Sequence, residues 1–301
     1  MSHQPKLHHL NLRGLSLACF EWRPALRGSA TTLWLAHATG FHGRVWDQVI
    51  HQLPRHHAIA IEHRGHGRSG GAVFDSWADF GRDQAAMAQA LGLQAAVGVG
   101  HSKGAHALVQ AAAFAPQCFR QLLLIDPVIR APGEYHLPGA PPGTLHPTAQ
   151  RKSRFASAQE MFDRFVDRPP YSVFDTQALH DYCQHGLKPT ADGQGFELAC
   201  APAFEGSIYP AALGNAGIYA SIRALQIPVL VVRARPQDPS IEPWDPLGTP
   251  TYAQLAQEFR HGRDLQLLDK THMLPMEDPA LTARLIAGAI AEVDASLSTP
   301  A

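Results

Sequence analysis

The feature that most constrains the fold of this chain is the pentapeptide Gly-His-Ser-Lys-Gly at residues 100–104. An apolar run that ends at Val99 precedes it, and an alanine-rich run that begins at Ala105 follows it. This order predicts a buried strand, a tight turn and a helix, with Ser102 at the apex of the turn. Glycine is needed on either side of the serine, because a Cβ there would crowd the strand against the helix. The pattern therefore indicates a nucleophile elbow, in which the start of the helix favours negative charge beside the serine.

The overall composition excludes several classes of protein. The chain has 301 residues, of which 45% are hydrophobic and 17% are charged, so it can bury a large core. A net charge of -1 without blocks of like charge argues against nucleic acid as a partner. No apolar run is long enough to span a membrane, and the polar N-terminus is unlike a signal peptide. We therefore expect a cytoplasmic monomer or homodimer that binds neither nucleic acid nor membrane.

The cysteines and histidines do not form metal-binding patterns. The four cysteines are widely spaced and include no Cys-x-x-Cys pair, which predicts free thiols in a reducing compartment. The 18 histidines include several close pairs, but none has the spacing of a known zinc motif. We therefore expect no metal ion and no cofactor.

Apolar runs alternate with helical patterns over much of the chain, which predicts an α/β fold. Because strands and helices alternate, the sheet should be mostly parallel and doubly wound, with about eight strands and right-handed crossovers. The predicted strands span residues 7–12, 15–22, 31–36, 57–62, 95–99, 121–125, 227–232 and 264–268. The first two of these strands should form a hairpin through Arg13 and Gly14.

The alternation stops after the sixth predicted strand. Residues 130–222 contain many prolines, several aromatic residues and short helical patterns at 158–166 and 176–185, but no strong strand pattern. We interpret this segment as a helical cap inserted into the fold. Residues 1–129 and 223–301 would then form the core on which it lies.

A serine needs a neighbouring base before it can act as a nucleophile. In a doubly wound sheet the site lies at the carboxyl ends of the strands, so the loops after strands hold the candidates. His272 follows the last predicted strand and is the candidate base. Asp238, in the loop after residues 227–232, is the preferred acid to orient it, and Asp126, directly after residues 121–125, is the alternative. Either aspartate could instead be a turn residue before the proline that follows it.

Negative charge that develops on a substrate oxygen requires hydrogen-bond donors. The backbone N–H of Lys103 lies at the predicted start of a helix, and a second N–H should come from the loop after residues 31–36. Thr39 is the preferred donor in that loop, although Gly40 and Phe41 could serve instead. We also expect Phe41 and Met273 to line the substrate pocket.

Together these segments resemble the α/β-hydrolase fold superfamily. The resemblance rests on His-Ala-Thr-Gly-Phe at 37–41, Arg-Gly-His-Gly-Arg-Ser at 64–69, the pentapeptide at 100–104, and Thr271-His272 followed by Glu-Asp-Pro at 277–279. It covers nearly the whole chain outside the cap, and the order serine, aspartate, histidine agrees with it. It implies a capped, esterase-like serine hydrolase, without indicating a particular characterised subfamily.

The sequence departs from the pattern of this superfamily at three positions. Glu62 stands where many members have aspartate before the Arg-Gly-x-Gly turn, and Ala38 replaces a common glycine in the loop at 37–41. Lys103 follows the serine where an apolar residue or glutamine is more common. Its side chain should be packed or paired near the sheet, and the alternative is that its ammonium group tunes the site.

These observations predict a hydrolase that cleaves a small or medium carboxylic ester or lactone through an acyl-enzyme on Ser102. Serine in place of a carboxylate disfavours the dehalogenases and epoxide hydrolases that resemble this fold. Two alternatives stay open: a C–C bond hydrolase or lyase that uses the same residues, and a non-catalytic ligand-binding protein.

Overall fold

The computed structural model describes residues 4–71, 73–136, 141, 143–241 and 245–298, and its main feature is an eight-stranded sheet. The strands of this sheet are β1 (Lys6–Leu12), β2 (Leu15–Trp22), β3 (Thr32–Ala36), β4 (His57–Ile61), β5 (Ala96–His101), β6 (Phe119–Ile125), β10 (Val229–Arg233) and β11 (Gly262–Gln266). Their spatial order is β1-β2-β4-β3-β5-β6-β10-β11. Pairings of β2 with β1 and with β4 are antiparallel, whereas every pairing from β4 to β11 is parallel. The predicted α/β class and the number of strands are confirmed.

Helices cover both faces of the sheet, which explains why the central strands are continuous apolar runs. The helices are α1 (Asp47–His51), α2 (Ala78–Ala90), α3 (Lys103–Phe114), α4 (Ala158–Phe165), α5 (Thr176–His185), α6 (Pro202–Ile208), α7 (Ile218–Ala224), α8 (Leu274–Glu277) and α9 (Pro279–Ser298). On β3, Leu33 and Leu35 belong to the apolar cluster that contains residues of α1 and α9. Trp34 and Ala36 alternate with them and belong to the opposite cluster, with residues of α2, α3 and α7.

The chain between β6 and β10 carries α4 to α7 and a small second sheet. This sheet has the order β7-β9-β8 and consists of β7 (Arg154–Phe155), β8 (Leu187–Pro189) and β9 (Phe196–Leu198). This small sheet was not predicted from the sequence, because strands of two or three residues are too short to show an alternating pattern. The division into a core and a cap at residues 130–222 stays a proposal.

The turn after β4 is held by a buried carboxylate, that of Glu62. This carboxylate accepts hydrogen bonds from the backbone N–H of Gly43 at 3.3 Å and of Arg68 at 2.5 Å. A Cβ on Gly67 would lie 2.2 Å from it, so only glycine fits at that position of the turn. The side chain of Glu62 therefore holds this turn together, although many members of the superfamily have the shorter aspartate at this position.

Two further features of the described residues bear on the sequence analysis. All four cysteines are buried and have free thiols. In the part of the chain that the structure describes, no helix has the length and apolar character needed to cross a bilayer.

Candidate active site

Ser102 lies in the sharp turn between β5 and α3, as the sequence analysis predicts. Its backbone has φ 56° and ψ -125°, a strained conformation for a residue with a side chain. A Cβ on Gly100 would lie 2.5 Å from the Cα of Ala105, and one on Gly104 would lie 2.3 Å from the carbonyl oxygen of His37. The two glycines therefore allow the helix to pack closely against the strand and the neighbouring loop, which keeps the serine at the apex.

His272 is in hydrogen-bond contact with Ser102, although the two residues are far apart in the sequence. The distance from Nε2 of His272 to Oγ of Ser102 is 3.1 Å, and Nδ1 of His272 lies 2.6 Å from Oδ2 of Asp126. Because a carboxylate only accepts hydrogen bonds, Nδ1 carries the proton and Nε2 is left to accept from the serine hydroxyl. Two hydrogen bonds hold the backbone of His272. Its N–H donates to the carbonyl of Leu247 at 2.8 Å, and its carbonyl accepts from Nε2 of His101 at 2.7 Å.

Asp126 follows β6 directly and is almost completely buried. Besides His272, its carboxylate accepts hydrogen bonds from the backbone N–H of Ala234 at 3.1 Å, from the hydroxyl of Thr251 at 3.2 Å and from that of Thr249. Burial alone would raise the pKa of Asp126, but its hydrogen bonds with His272, Thr249 and Ala234 lower it below its usual value. The group is therefore a fixed anion that can orient and stabilise an imidazolium.

The preference for Asp238 as the partner of His272 is corrected by this geometry. The carboxylate of Asp238 accepts hydrogen bonds from the backbone N–H of Ser240 at 2.9 Å and from its hydroxyl at 2.7 Å. These bonds lower the pKa of Asp238 and form a local Asx-type turn at the surface. Because β6 and β10 are adjacent parallel strands, both aspartates follow strands that end at the same edge of the sheet. Only Asp126, the alternative, faces His272.

The loop that follows β3 is held by a histidine ring. Nε2 of His37 accepts a hydrogen bond from the backbone N–H of His63 at 3.1 Å, so its Nδ1 donates to the carbonyl of Ala38 at 2.7 Å. In a trans peptide the N–H points opposite to the C=O. The N–H of Thr39 is therefore directed away from the His37 ring. That Thr39 and Lys103 donate to a substrate oxygen stays a prediction.

One of the two alternative donors in this loop is already engaged. The N–H of Phe41 donates to the carbonyl of Ala38 at 3.3 Å, so this bond would have to break before Phe41 could bind a substrate oxygen. Thr39 stays the preferred donor, and Gly40 stays an alternative.

The side chain of Lys103 is packed rather than paired. It is 1% exposed, and its Nζ lies 3.7 Å from the centroid of the Phe80 ring. Among the described residues Nζ has no hydrogen-bond partner. Burial lowers the pKa of Lys103 far below its usual value, and burial likewise lowers those of His63, His66 and His106. These side chains form a buried cluster of nitrogen bases behind the loop at 37–41, in which burial disfavours the charged forms.

The two predicted pocket residues are both buried beside the site. Phe41 stacks on Phe174 with the ring centroids 6.2 Å apart, and it contacts Tyr182 at 5.2 Å. Met273 follows His272, and its backbone N–H donates to the hydroxyl of Thr271 at 3.2 Å. Their contact with substrate stays a prediction.

Two residues that contact the carboxylate of Asp126 were not predicted from the sequence. The hydroxyls of Thr249 and Thr251 both donate to Oδ1 of Asp126, and Thr251 also donates to the carbonyl of Pro127 at 2.8 Å. The pattern Thr-Pro-Thr at 249–251 carries no signal of this role by itself. Only the fold brings it beside the end of β6.

Comparison with known families supports the resemblance. Residues 35–285 match the model of a family described as the alpha/beta hydrolase family. This range contains Ser102, Asp126 and His272. No curated protein matches the chain.

Several solved structures have the same fold at low sequence identity. A peroxisomal alpha-beta-hydrolase of Saccharomyces cerevisiae is 18% identical, with a TM-score of 0.73 over 100% of this chain and 92% of its own. An E-2-(acetamidomethylene)succinate hydrolase is 19% identical, with a TM-score of 0.69 over 95% of this chain and 99% of its own. A haloalkane dehalogenase variant of Bradyrhizobium elkanii is 21% identical, with a TM-score of 0.62 over 98% of this chain and 100% of its own. At these identities the comparisons establish the fold but not the substrate.

Proposed function

Because this chain belongs to the alpha/beta hydrolase family, we propose that it is a serine hydrolase in which Ser102, His272 and Asp126 act together. The observation that carries the proposal is the pair of hydrogen bonds that joins them. His272 contacts the hydroxyl of Ser102 at 3.1 Å through Nε2 and the carboxylate of Asp126 at 2.6 Å through Nδ1. A base held between a hydroxyl and a buried anion is the arrangement that activates a serine.

The proposed reaction begins when Oγ of Ser102 attacks the carbonyl carbon of an ester and its proton passes to Nε2 of His272. Asp126 stabilises the imidazolium that forms, and the N–H groups of Thr39 and Lys103 donate to the oxyanion. The C–O bond then breaks, and the alcohol leaves with the proton from His272. Water attacks the acyl-enzyme, transfers a proton to His272 and releases the acid, and the proton returns to Ser102.

The substrate class we propose is a small or medium carboxylic ester or lactone. Buried aromatic side chains beside Ser102 support it, since Phe41, Phe174 and Tyr182 form a packed group next to the loop at 37–41. We further propose that residues 130–222, which supply Phe174 and Tyr182, act as a cap over the site. Serine as the candidate nucleophile is not suited to the alkyl-enzyme ester of a dehalogenase.

Covalent labelling tests this proposal directly. A fluorophosphonate probe should label the wild-type protein at Ser102, and mass spectrometry of the labelled peptide should locate the adduct. Ser102→Ala should lose both the label and the hydrolysis of p-nitrophenyl esters. Ser221→Ala is the matched control, because Ser221 is also a buried serine but lies on α7. A protein that cleaves these esters equally well after Ser102→Ala would contradict the proposal.

The same labelling separates the other reactions that the fold could support. A slow ester substrate should accumulate an acyl-enzyme with the mass of its acyl group. A lyase that uses the same residues without acylation would turn over its substrate without this adduct. A ligand-binding protein without catalytic activity would show neither the adduct nor the label.

A further inference from the structure

The histidine inside the pentapeptide at 100–104, His101, takes part in none of the proposed reaction steps, yet its ring contacts the candidate base. Nε2 of His101 lies 2.7 Å from the main-chain carbonyl oxygen of His272. Because a carbonyl only accepts hydrogen bonds, Nε2 carries the proton and donates it. The two rings lie side by side, with their centroids 5.1 Å apart. His101 therefore contacts the residue that carries the base through its main chain.

The main chain of His272 depends on such contacts because the residue lies in a loop. β11 ends at Gln266, α8 begins at Leu274, and His272 lies between them. Its N–H donates to the carbonyl of Leu247, which belongs to a second loop. The bond from His101 instead joins the main chain of His272 to β5, a strand in the middle of the sheet.

The contacts that hold the imidazole of His272 come from the ends of two paired strands. His101 is the last residue of β5 and pairs with Ile125, the last residue of β6. Ser102 follows the first strand and Asp126 follows the second, and the N–H of Ser102 donates to the carbonyl of Ile125 at 3.0 Å. The hydroxyl of Ser102, the carboxylate of Asp126 and the ring of His101 are thus kept in one register.

The ring of His101 is buried and is suited to donate without bringing a charge. It is 2% exposed, and its centroid lies 6.4 Å from that of Phe41. Burial and the neighbouring His272 lower the pKa of His101 to about 3, so the ring is neutral at neutral pH. A positive charge this close would disfavour the imidazolium that the proposed reaction forms on His272.

We propose that His101 is a positioning residue, which keeps the imidazole of His272 beside Ser102 through its hydrogen bond to the main-chain carbonyl. It acts through His272 and does not touch the substrate. Without this bond the loop can shift and lengthen the 3.1 Å contact between Nε2 of His272 and Oγ of Ser102. A displacement of about 1 Å can lower a catalysed rate by about a hundredfold. This inference rests on the proposed function, because it adds a residue to the same site.

Three substitutions separate the hydrogen bond from the packing of the ring. In His101→Gln the side-chain amide nitrogen can lie near the position of Nε2 and donate to the carbonyl of His272. In His101→Asn the amide is one methylene group closer to the main chain and cannot reach that carbonyl. His101→Phe keeps an aromatic ring beside Phe41 but has no donor. Since glutamine and asparagine lose the same ring, a role in packing alone would affect both variants alike.

Steady-state kinetics with a p-nitrophenyl ester measures the effect. His101→Phe and His101→Asn should lower kcat by about tenfold or more with KM within about twofold of wild type, because His272 moves the proton but does not bind the substrate. His101→Gln should restore kcat to within about threefold of wild type. His106→Phe is the control, because His106 is a buried histidine of α3 whose ring nitrogens have no partner among the described residues. Its kcat should stay close to wild type.

A nuclear magnetic resonance measurement gives a readout that does not depend on turnover. The proton on Nδ1 of His272 lies in a hydrogen bond of 2.6 Å to the Asp126 carboxylate, so it should resonate well downfield of the amide protons. Loss of the resonance in Asp126→Asn identifies it. His101→Phe and His101→Asn should broaden or remove it, because a looser loop lets the proton exchange with water. His101→Gln should keep it.

Two outcomes would overturn this inference without affecting the proposed function. They are a kcat as low in folded His101→Gln as in folded His101→Asn, and a wild-type kcat in His101→Phe. If His101→Phe does not fold, the glutamine and asparagine variants supply the comparison. If no ester is cleaved and Ser102 is not labelled, the proposed function fails. The downfield resonance then still tests the contact, and an unchanged resonance in His101→Asn would reject it.

Discussion

The carboxylate of Asp126 lies 2.6 Å from Nδ1 of His272, across 146 positions of sequence. The contact is possible because Asp126 directly follows β6 in the middle of the sheet, and β6 is next to β5, the strand that ends before Ser102. The carboxylate is buried and receives three further hydrogen bonds, so it cannot turn away from the imidazole. The orientation of His272 is therefore set by a residue that is itself rigidly held.

The first prediction compares the two aspartates of the sequence analysis. Asp126→Asn should lower kcat/KM for an ester by about a thousandfold or more, because an amide can donate to Nδ1 and favour the wrong tautomer of His272. Asp238→Asn should stay within about twofold of wild type, because its carboxylate only closes a surface turn. Steady-state kinetics with a p-nitrophenyl ester measures both effects. A larger loss for Asp238→Asn than for Asp126→Asn would reject the proposed acid.

Much of the fold and part of the site could be predicted from the sequence, and these two aspartates show the limit. The central strands are visible because they are apolar runs, and Ser102 and His272 were found because they lie in loops that follow predicted strands. Asp126 and Asp238 both follow strands that end at the same edge of the sheet, so their positions in the sequence do not show which of them contacts His272. The choice depends on the paths of two loops, which no local pattern encodes.

The ion pair between Arg151 and Glu205, with Nη1 of Arg151 3.2 Å from Oε2 of Glu205, illustrates a second limit. Arg151 and Glu205 are 54 positions apart, in a segment that has no long periodic element. Charged residues in such a segment are usually exposed to solvent. Only the folded structure reveals that Glu205 is buried against Gly40 and that Arg151 pairs with it.

A second prediction concerns the buried amine of Lys103. Since burial lowers its pKa well below 10.5, the folded protein binds a proton at this amine more weakly than the unfolded chain does. The amine therefore lowers the free energy of unfolding at pH 7, and this loss diminishes as the pH rises toward 10.5. Lys103→Met should raise the Tm at pH 7 by about 3 °C or more and flatten its dependence on pH between neutral and alkaline conditions.

Calorimetry of Lys103→Met and of a surface control measures this effect. Lys188→Met is suitable, because Lys188 lies in an exposed ion pair with Glu197 at 3.3 Å and should change the Tm little. The pH–rate profile of Lys103→Met adds a test of the site. An unchanged profile agrees with packing, whereas a shifted profile would show that the amine tunes the reaction. A lower Tm for Lys103→Met would contradict the prediction.

A third prediction concerns acid stability. Burial lowers the pKa of His106 from 6.5 to about 3, and neither ring nitrogen has a partner among the described residues. The folded protein therefore keeps this ring neutral, whereas the unfolded chain binds a proton below pH 6.5. The free energy of unfolding is therefore not reduced by this histidine above pH 6.5. Each such histidine lowers it by about 1.4 kcal/mol for each pH unit below 6.5.

Urea unfolding at several pH values between about 7 and 4 measures this slope. His106→Met should reduce the slope and make the protein more resistant to acid than wild type. The substitution keeps an apolar contact with the ring of Trp77, which lies 5.0 Å from that of His106. His51→Met replaces a histidine of α1 outside this cluster and is the control, for which the acid slope should stay close to wild type. An unchanged slope in His106→Met would mean that other groups govern acid unfolding.

A fourth prediction tests the close packing behind Ser102. A Cβ on Gly104 would lie 2.3 Å from the carbonyl oxygen of His37 and 2.5 Å from that of Ala36, and both neighbours are backbone atoms. Gly104→Ala should therefore lower the free energy of unfolding by about 2 kcal/mol or more. Relief of this clash should also displace the loop at 37–41, so ester hydrolysis should fall by more than the loss of folded protein alone explains.

Gly288→Ala is the matched control, because Gly288 lies in α9 with no atom within 4 Å of the added Cβ. It should stabilise the helix by about 0.5–1 kcal/mol without affecting hydrolysis. Full activity in Gly104→Ala would show that the loop does not depend on this contact.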